Sequence, residues 1–402
     1  MVGTFPALSE TFILNQITGL IERGHSVSVF AERTSRDTEV HPDVDRFELR
    51  GLTRYEALPE RFPERLVRLP SASRASLPFL RSLNVFRFGS AAASLRLAWS
   101  VGMVDGASDF DVIQCHFGAL GLKAVLLREL GALRGRIVTA FHGEDITNYP
   151  RRFPGNVYAP LFAHGDLFLP ISARWNDSLA AMGCPMDRVR VHRMGVDSRH
   201  FSPAPADVRR DGPLRVITVA RLVEKKGIAD AILAVSKLGI DCEYVIVGDG
   251  PLRAELESLA RASGVGDRVE FTGSLSRTGV AELLRSSSVC LAPSVTAADG
   301  DIEGIPVSIM EAMAAGLPVV STRHSAIDEL VEDGVSGFLV AEHDVPALTR
   351  SLAVLAADPA LRARMGQAGR ATIGREFDAG VLAGRLEELY GALLREPVRQ
   401  TT

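Results

Sequence analysis

The chain of 402 residues is longer than one hydrophobic core usually serves, so its length favours two domains. Hydrophobic residues make up 46% and aromatic residues 6%, with 36 glycines and 21 prolines, which is typical of an α/β protein with many tight turns and unlike a disordered or fibrous chain. The net charge of −4 indicates no nucleic-acid partner, and the four cysteines form no CxxC pair that would predict a zinc cage or a disulfide framework.

The same features predict a cytoplasmic protein. The cysteine usage suits a reducing compartment, and no uninterrupted apolar stretch approaches the roughly 18 residues of a membrane-spanning helix. The amino terminus has no basic segment followed by an apolar one, so we expect no secretion signal.

The first half of the chain opens with a predicted helix in "ALSETFILNQITGLIERG", with Ser9 as N-cap, Glu10 in the first turn and Gly24 as C-cap. Only "MVG" precedes the predicted loop "TFPA", which leaves too little chain for a strand before this helix. Near-continuous apolar runs then indicate parallel strands covered on both faces. They are "HSVSVF" (25–30), "DVIQCHF" (111–117), "RIVTAFHG" (136–143) and "DLFLPIS" (166–172).

The second half repeats this alternation of strands and helical patterns after a proline-rich, charged segment, "SPAPADVRRDGP" (202–213), which is typical of a linker. Its predicted strands are "LRVITVA" (214–220), "CEYVIVGDG" (242–250), "RVEFTG" (268–273), "VCLAPS" (289–294) and "PVVST" (318–322). We therefore expect an α/β protein of two doubly wound domains facing a central cleft. In such sheets ligands bind beyond the carboxyl ends of the strands, where the functional residues are expected.

Acidic side chains are concentrated in one of these strand-end segments. Between residues 291 and 322 there is no Lys or Arg, but there are four carboxylates, at Asp299, Asp301, Glu303 and Glu311. A helix is predicted to begin near Pro306, with Glu303 ahead of it and Glu311 inside it among apolar neighbours. Carboxylates accept hydrogen bonds from vicinal hydroxyls, so a sugar or a ribose fits this loop. The alternatives are a solvent-facing Glu311 and a metal site, which the lack of a histidine in the loop disfavours.

A basic loop follows the first strand of the second half. In "RLVEKKG", Arg221, Lys225 and Lys226 lie between the end of a strand and a helix that begins near Gly227. Fixed positive charge beside free helix N–H groups is what a diphosphate requires, although a solvated loop is the simpler interpretation. In "VGDGPLR" (247–253) a tight turn made by Gly248 and Gly250 is a sufficient explanation.

Two histidines stand at strand ends in the first half. His142, in "FHGED", is followed by Gly143, which permits close approach of a ligand to the backbone, and by two acids, Glu144 and Asp145. His116, in "CHFG", has the same placement on a neighbouring strand. The alternative for each is an ordinary surface or core histidine without function.

Taken together, and in their order along the chain, these motifs resemble those of the family-4 retaining glycosyltransferases of the GT-B architecture. The resemblance rests on "HGED", "ARLVEKKG", "VGDGPLR", "PSVTAADGDIEGIPVSIMEAMAAGLPVVST" and "LVEDGVSGFLV", which cover nearly the whole chain. Within that family, "GTFPALSETFILNQITGL", "CHFGALG" and "ADGDIEGIP" are most similar to the bacterial colanic-acid and amylovoran type of exopolysaccharide glycosyltransferases. The resemblance implies an acceptor-binding domain over 1–195, a nucleotide-sugar-binding domain over 196–375 and a terminal helix over 376–402 that crosses back to the first domain.

The resemblance also implies roles for individual residues. Arg221 and Lys226 would hold the donor diphosphate, and Glu311 would accept hydrogen bonds from the ribose. Glu303 would contact hexose hydroxyls, and His142 would lie beside the transferred sugar. The catalytic group would then be His142, Glu303, Arg221 and Lys226, joined in donor binding by Gly304, Ile305, Val307 and Glu311. Pro306 departs from the glycine common in the family, which removes one backbone donor. The resemblance implies no cofactor, because the nucleotide sugar is consumed as a substrate. It also implies no metal.

The expected activity is transfer of a hexose from a nucleotide diphosphate sugar, first of all UDP-hexose, to a lipid-linked oligosaccharide in exopolysaccharide biosynthesis. GDP-mannose as donor is the alternative within the same chemistry. Backbone groups near 269–275 would recognise the nucleobase, so the side chains there do not reveal which base is bound. The alternatives of other classes are a nucleotide-sugar epimerase or phosphorylase of the same fold, and a non-catalytic protein that binds sugar nucleotides or polysaccharide.

Residues 46–100 contain ten arginines, no lysine and four glutamates, interleaved with apolar residues in a helix-prone pattern. Such a segment indicates a surface that lies on anionic lipid, which would place the protein peripherally on the inner face of the cytoplasmic membrane. An ordinary cap over the first sheet is an equally good interpretation.

Overall fold

The computed structural model describes residues 1–7, 10–35, 40–56, 58–69, 76–106, 109–153, 155–203 and 213–397. It divides into two compact units, of which unit 1 comprises Met1–His192 with Ala383–Thr402 and unit 2 comprises Arg193–Leu382. The predicted N-cap Ser9 and most of the predicted linker, residues 204–212, lie outside the described residues.

Unit 1 is built on parallel strands, which are β1 Val2–Phe5, β2 Val29–Thr34, β3 Thr53–Tyr55, β4 Asp109–His116, β5 Arg134–Phe141 and β6 Leu167–Pro170. They pair in the orders β1-β2-β3 and β4-β5-β6. Met1 joins the two sets, because its amino group donates to the Gln114 carbonyl and its carbonyl accepts from His116 N–H at 3.0 Å. The resulting order, 3-2-1-4-5-6, is that of a doubly wound Rossmann-type sheet.

The prediction that too few residues precede the first helix for a strand was wrong. Thr4 and Phe5, which were predicted as loop, belong to β1, and Val2 pairs with Ala31 in β2. Val2 and Phe5 are 2% and 3% exposed, so burial of these two apolar side chains holds even a four-residue strand in the sheet.

Ten helices in the described part of unit 1 surround these strands. They are α1 Thr11–Glu22, α2 Pro42–Arg46, α3 Phe62–Val67, α4 Leu77–Ser82, α5 Val85–Ala93, α6 Arg96–Val104, α7 Gly118–Leu130, α8 Glu144–Arg151, α9 Ala159–His164 and α10 Asn176–Ala181. Helix α1 ends as predicted, because Gly24 follows it with a φ of +89° and donates to the carbonyl of Ile21.

Unit 2 has one six-stranded parallel sheet, made of β7 Leu214–Val219, β8 Cys242–Val247, β9 Val269–Gly273, β10 Val289–Ala292, β11 Val319–Thr322 and β12 Gly337–Val340. Its order, β12-β11-β10-β7-β8-β9, is again that of a doubly wound sheet, with the switch in direction between β7 and β10. Its helices are α11 Ile228–Ser236, α12 Arg253–Ala262, α13 Arg277–Ser286, α14 Val307–Ala314, α15 Val345–Ala357 and α16 Pro359–Thr372.

The last helix, α17 Ala379–Arg395, contributes its residues from Ala383 onward to unit 1. There Leu386 and Leu393, seven residues apart on one face, pack against Val138, Ala140, Leu167 and Leu169 of β5 and β6. Among the described residues, no helix has the length and apolar content needed to cross a bilayer.

Candidate functional site

The loops after β7 and β10 meet at the carboxyl edge of the unit 2 sheet. Val295 N–H, after β10, donates to the Lys225 carbonyl, after β7, at 2.9 Å. Gly227 has a φ of +61°, and a Cβ there would lie 1.8 Å from the Pro293 carbonyl oxygen. Only glycine permits this approach, so the basic loop and the acidic loop are held side by side.

The loop after β8 packs against the same place. Leu222 N–H donates to the Asp249 carbonyl at 2.9 Å, and a Cβ at Gly248 would lie 1.9 Å from the Ala220 carbonyl oxygen. Gly248 is therefore required by the close packing between these two loops.

Two lysines neutralise the acids of the loop after β10. Lys226 Nζ lies 2.9 Å from Glu303 Oε2, while Lys225 Nζ lies 2.9 Å from Asp301 Oδ2 and 3.5 Å from Glu303 Oε1. Burial would raise the pKa of Glu303, but Lys226 and then Lys225 outweigh it and hold that pKa below its usual range. Glu303 is therefore an anion, and its Oε1 is held less closely than its Oε2, because the nearest ammonium, that of Lys225, lies 3.5 Å away.

A histidine and a second glutamate support this loop from neighbouring strands. Glu303 N–H donates to His324 Nε2 at 3.0 Å, and His324 Nδ1 lies 2.6 Å from Glu342 Oε1. Glu342 Oε2 accepts from Thr296 N–H at 2.8 Å. His324 and Glu342 each stand two residues beyond the end of a strand, β11 and β12 respectively.

Free backbone donors lie where the acidic loop enters α14. The N–H groups of Gly304, Ile305 and Val307 donate no hydrogen bond to any described residue. Pro306, which has no N–H, is the N-cap of the helix, so the predicted start near Pro306 is confirmed. Unbonded N–H groups at a helix amino terminus form a ready site for an anion.

Glu311 and Arg221 are the predicted site residues without a partner in the described part of the chain. Glu311 is half-buried on α14, and burial raises its pKa to about 7, with Arg277 acting in the opposite direction. The Arg221 side chain is exposed just beyond β7 and makes no ion pair with another described residue. A half-buried acceptor and an exposed cation both remain open to a ligand.

In unit 1, His142 lies in an aromatic cluster beyond β5. Its ring centroid is 4.9 Å from that of Phe12 and 4.6 Å from that of Phe117, and its Nε2 is 3.2 Å from His116 Nδ1. Burial lowers the pKa of His142 to about 3 and that of His116 well below its usual range, so both rings are neutral. His142 Nδ1 is buried and has no hydrogen-bond partner among the described residues.

The two acids after His142 differ in environment. Asp145 Oδ1 accepts from the N–H groups of His142 and Gly143 at 2.9 Å, and Oδ2 accepts from Gly118 N–H at 3.0 Å. Burial raises the pKa of Asp145 to about 6 despite these bonds. Glu144 is exposed and pairs with Arg152 at 3.1 Å. Asp145 thus shapes the loop that carries His142, and Glu144 belongs to the surface.

Known proteins match this chain along most of its length. Residues 9–200 match the model of Glycosyltransferase Family 4, and residues 205–372 match that of Glycosyl transferases group 1. The chain is 40% identical to the putative colanic acid biosynthesis glycosyltransferase WcaL of Escherichia coli, over 97% of this chain and 98% of that protein. It is 37% identical to the amylovoran biosynthesis glycosyltransferase AmsK of Erwinia amylovora, with the same coverage. The chain belongs to the family-4 glycosyltransferases.

The fold of this glycosyltransferase is also shared with solved structures. HepE of Anabaena, crystallised with UDP and glucose, superposes with a TM-score of 0.70 at 17% identity, covering 97% of this chain and 99% of HepE. This likeness and the two Rossmann-type sheets confirm the predicted GT-B fold.

The structure gathers most of the residues that the sequence predicted for donor binding in the glycosyltransferase. Lys226, Glu303 and the N–H groups of Gly304, Ile305 and Val307 lie in one connected set of unit 2, whereas His142 belongs to unit 1. Their roles stay predictions. Sequence reasoning missed His324 and Glu342, although the rule that functional residues follow parallel strands would have indicated both. Within the described ranges, no group of three His, Cys, Asp or Glu residues is arranged to hold a metal ion.

Proposed function

We propose that this glycosyltransferase is a retaining hexosyltransferase that moves a hexose from a UDP-hexose to a lipid-linked oligosaccharide in exopolysaccharide biosynthesis. The names of WcaL and AmsK support the biosynthetic role, and UDP bound to HepE supports the choice of nucleotide. The observation that carries the proposal is the cluster of Lys226, Glu303 and the free N–H groups of Gly304, Ile305 and Val307 beyond β7 and β10.

In this proposal the cluster stabilises the departing diphosphate. Lys226 uses one of its three ammonium protons on Glu303, which leaves two for phosphate oxygens. Arg221 adds a planar guanidinium without a protein partner among the described residues, and the amino end of α14 adds backbone donors. Preorganised donors aimed at developing negative charge are usually the largest contribution to catalysis. The arrangement supplies positive charge from side chains, and we propose that the reaction requires no metal.

In this proposal the two glutamates bind opposite ends of the donor, Glu303 the hexose and Glu311 the ribose. The buried Oε1 of Glu303, which Lys225 approaches only to 3.5 Å, has room to accept from a hexose hydroxyl, and the carboxyl group of Glu311 is an acceptor for the ribose. Because two lysines hold Glu303 as an anion, we assign it a positioning role. We propose that His142 contacts the transferred sugar, and that the leaving phosphate takes the acceptor's proton while the acceptor attacks from the same face.

Single substitutions of the two cations test the diphosphate assignment. We expect Arg221→Ala and Lys226→Ala each to lower the rate of labelled hexose transfer by about 100-fold or more, because each removes a charge from the leaving group. Lys237→Ala, which changes an exposed lysine just after α11, is the matched control and should keep full activity. Near-normal transfer by both site variants would reject the assignment.

A thermal-shift series with nucleotide sugars tests the choice of donor. A ligand at 100 times its dissociation constant stabilises the folded protein by about 2.7 kcal/mol, which is readily detected. We expect UDP-hexoses to stabilise the wild-type protein most. Stabilisation by GDP-mannose alone would replace the donor, and binding without transfer to any acceptor would favour a non-catalytic binding protein.

We also propose that part of unit 1 lies on anionic lipid, where a lipid-linked acceptor resides. The segment has a buried part and an exposed part. Phe79, Leu97 and Trp99 are buried and cap the unit, while other large apolar side chains are exposed. The exposed set is Leu52, Phe62, Leu66, Val67, Leu77, Leu80, Leu83, Val85 and Phe86. Phe86 is 100% exposed and Val67 79%, and exposed arginines at 61, 68, 81, 87 and 96 lie among them in the chain.

Flotation with phosphatidylglycerol vesicles tests the lipid surface. We expect the wild-type protein to float with these vesicles and not with phosphatidylcholine vesicles, because arginines supply the electrostatic part of the attraction. The double variant Val67→Ser, Phe86→Ser should lose flotation, and Val354→Ser, which changes an exposed valine of α15, should not. Equal flotation of all three proteins would contradict the proposal.

A further inference from the structure

We propose that His324 is a positioning residue for donor recognition, because its imidazole fixes the backbone from which Glu303 reaches the hexose. The inference rests on the proposed function, in which Glu303 contacts the sugar. It adds a residue that touches no substrate and acts through Glu303.

The hydrogen bonds determine the state of the imidazole. A backbone N–H can only donate, so His324 Nε2, 3.0 Å from Glu303 N, must be the acceptor. A neutral imidazole has one donor and one acceptor, so the proton is on Nδ1 and is donated to Glu342 Oε1 at 2.6 Å. His324 is 2% exposed, so its ring nitrogens are shielded from bulk solvent. The donor and acceptor roles are thus fixed: Glu303 N–H donates to His324 Nε2, and His324 Nδ1–H donates to the Glu342 carboxylate.

The same pair holds both ends of the acidic loop. Glu342 accepts from Thr296 N–H at 2.8 Å and lies 3.3 Å from Thr296 Oγ1, while His324 accepts from Glu303 N–H. Between these ends, Ala298 N–H donates to Glu224 Oε1 at 3.1 Å. Residues 296–303 are therefore tied by side chains at three points.

The two residues that support this loop, His324 and Glu342, are held by strands of the sheet, which are rigid elements. His324 follows β11 and Glu342 follows β12, and these two strands are paired in parallel from Val319 and Gly337 onward. A contact residue on a loop is held accurately only when its supporting shell is fixed by the scaffold. Without an acceptor at the His324 position, the buried Glu303 backbone loses its anchor, and its carboxylate no longer stays where the hexose requires it.

Three substitutions separate the two hydrogen bonds of the imidazole. The amide oxygen of His324→Gln reaches the position of Nε2 and can accept from Glu303 N–H. The amide of His324→Asn reaches only the position of Nδ1 and can serve Glu342. His324→Phe fills the space and serves neither partner. The dissociation constants of UDP and UDP-glucose, measured by calorimetry for each variant, report diphosphate and hexose recognition separately.

We expect His324→Asn and His324→Phe to weaken UDP-glucose binding by about tenfold and UDP binding by less than about twofold. His324→Gln should stay within about threefold of the wild type for both ligands. Equal weakening of UDP and UDP-glucose, or a Gln variant no better than Phe, would show a merely structural role and overturn the inference. If His324→Phe does not fold, the comparison of Gln with Asn decides.

Glu303→Gln separates this inference from the proposed function. If Glu303→Gln leaves the preference for UDP-glucose over UDP unchanged, the sugar-contacting role of Glu303 fails. If Glu303→Gln removes the preference and the His324 variants keep it, the positioning role alone fails. Nitrogen-15 NMR of labelled histidine in the wild-type protein is a direct check, and a proton on Nε2 of His324 would contradict the assignment whatever the variants do.

Discussion

Glu311 is the residue through which the proposed donor site would depend on pH. Burial raises its pKa to about 7, so close to half of the free protein carries a proton there at neutral pH. Because the folded state binds this proton more tightly than the unfolded chain, the group makes the free protein less stable as pH rises from 4.5 to about 7. Ribose hydroxyls donate to the charged form, so donor binding would expel the proton.

The affinity for UDP-glucose should therefore fall on acidification. We expect binding to weaken about tenfold between pH 8 and pH 6, since the proton must be displaced below the raised pKa. Calorimetry in buffers of different ionisation enthalpy measures both the affinity and the protons released. Glu311→Gln should bind with little dependence on pH, and a wild-type affinity that is constant over this range would contradict the ribose contact.

Residue identities at the site were partly predictable from sequence. The apolar neighbours of Glu311 indicated that its helix is mostly enclosed, and burial does raise the pKa of Glu311. The pairing of Lys226 with Glu303 was not predicted. His324 and Glu342 could not be paired from sequence, because their contact depends on the parallel register of β11 with β12. The unpartnered Nδ1 of His142 likewise results from packing against Phe12 and Phe117, which lie far apart in the chain.

Among the elements, the loop after β7 depends most clearly on one residue. Gly227 ends the basic loop in a left-handed conformation, directly against the carbonyl of Pro293 at the end of β10. This approach places Lys225 and Lys226 beside the acidic loop, so the position of the donor-site cations follows from the absence of a side chain.

Gly227→Ala should therefore disturb both stability and donor binding. We expect the free energy of unfolding to fall by more than about 2 kcal/mol, because the methyl group would meet a backbone oxygen at 1.8 Å and the φ of +61° is strained for alanine. Chemical denaturation and UDP-glucose calorimetry measure the two effects. Gly239→Ala, whose added methyl group meets nothing within 4 Å, is the control. Equal behaviour of the two variants would contradict this account of the loop.

Strand and helix positions in the middle of each half were predicted well, because near-continuous apolar runs and glycine or proline boundaries are local signals. The run "DVIQCHF" lies within β4 except for its last residue, and "VCLAPS" contains β10. Strands β1, β3 and β12 were not predicted, and β2 begins at Val29, four residues later than the predicted run "HSVSVF". These strands have only three to six residues, which carry little periodicity, and β1 is stabilised by pairing with β2.

At the scale of the whole molecule, the chain returns at its end to the unit in which it began. The terminal helix was expected within 376–402, and α17 is observed at Ala379–Arg395. Its helical spacing was visible in the sequence, but the packing of Leu386 and Leu393 on β5 and β6 is a contact over more than 200 residues that no local pattern encodes.

Leu386→Ala should destabilise unit 1. Leu386 is 0% exposed, and its truncation should lower the free energy of unfolding by about 3 kcal/mol through lost burial and a cavity. Leu394→Ala, which changes a leucine that is 46% exposed on the same helix, should cost less than about 1 kcal/mol. Denaturation followed by fluorescence of Trp99 and Trp175, both in unit 1, measures the difference. A cost at Leu386 no larger than at Leu394 would show that this packing contributes little.

The central claim is that the loops after β7 and β10 bind an activated sugar by its diphosphate. The most direct measurement is a crystal structure of the protein with UDP-glucose bound. We predict that the diphosphate lies within hydrogen-bonding distance of Arg221, Lys226 and the N–H groups of Gly304, Ile305 and Val307. The ribose should lie on Glu311 and the hexose on Glu303. Well-ordered ligand density elsewhere, with none at these loops, would contradict the account.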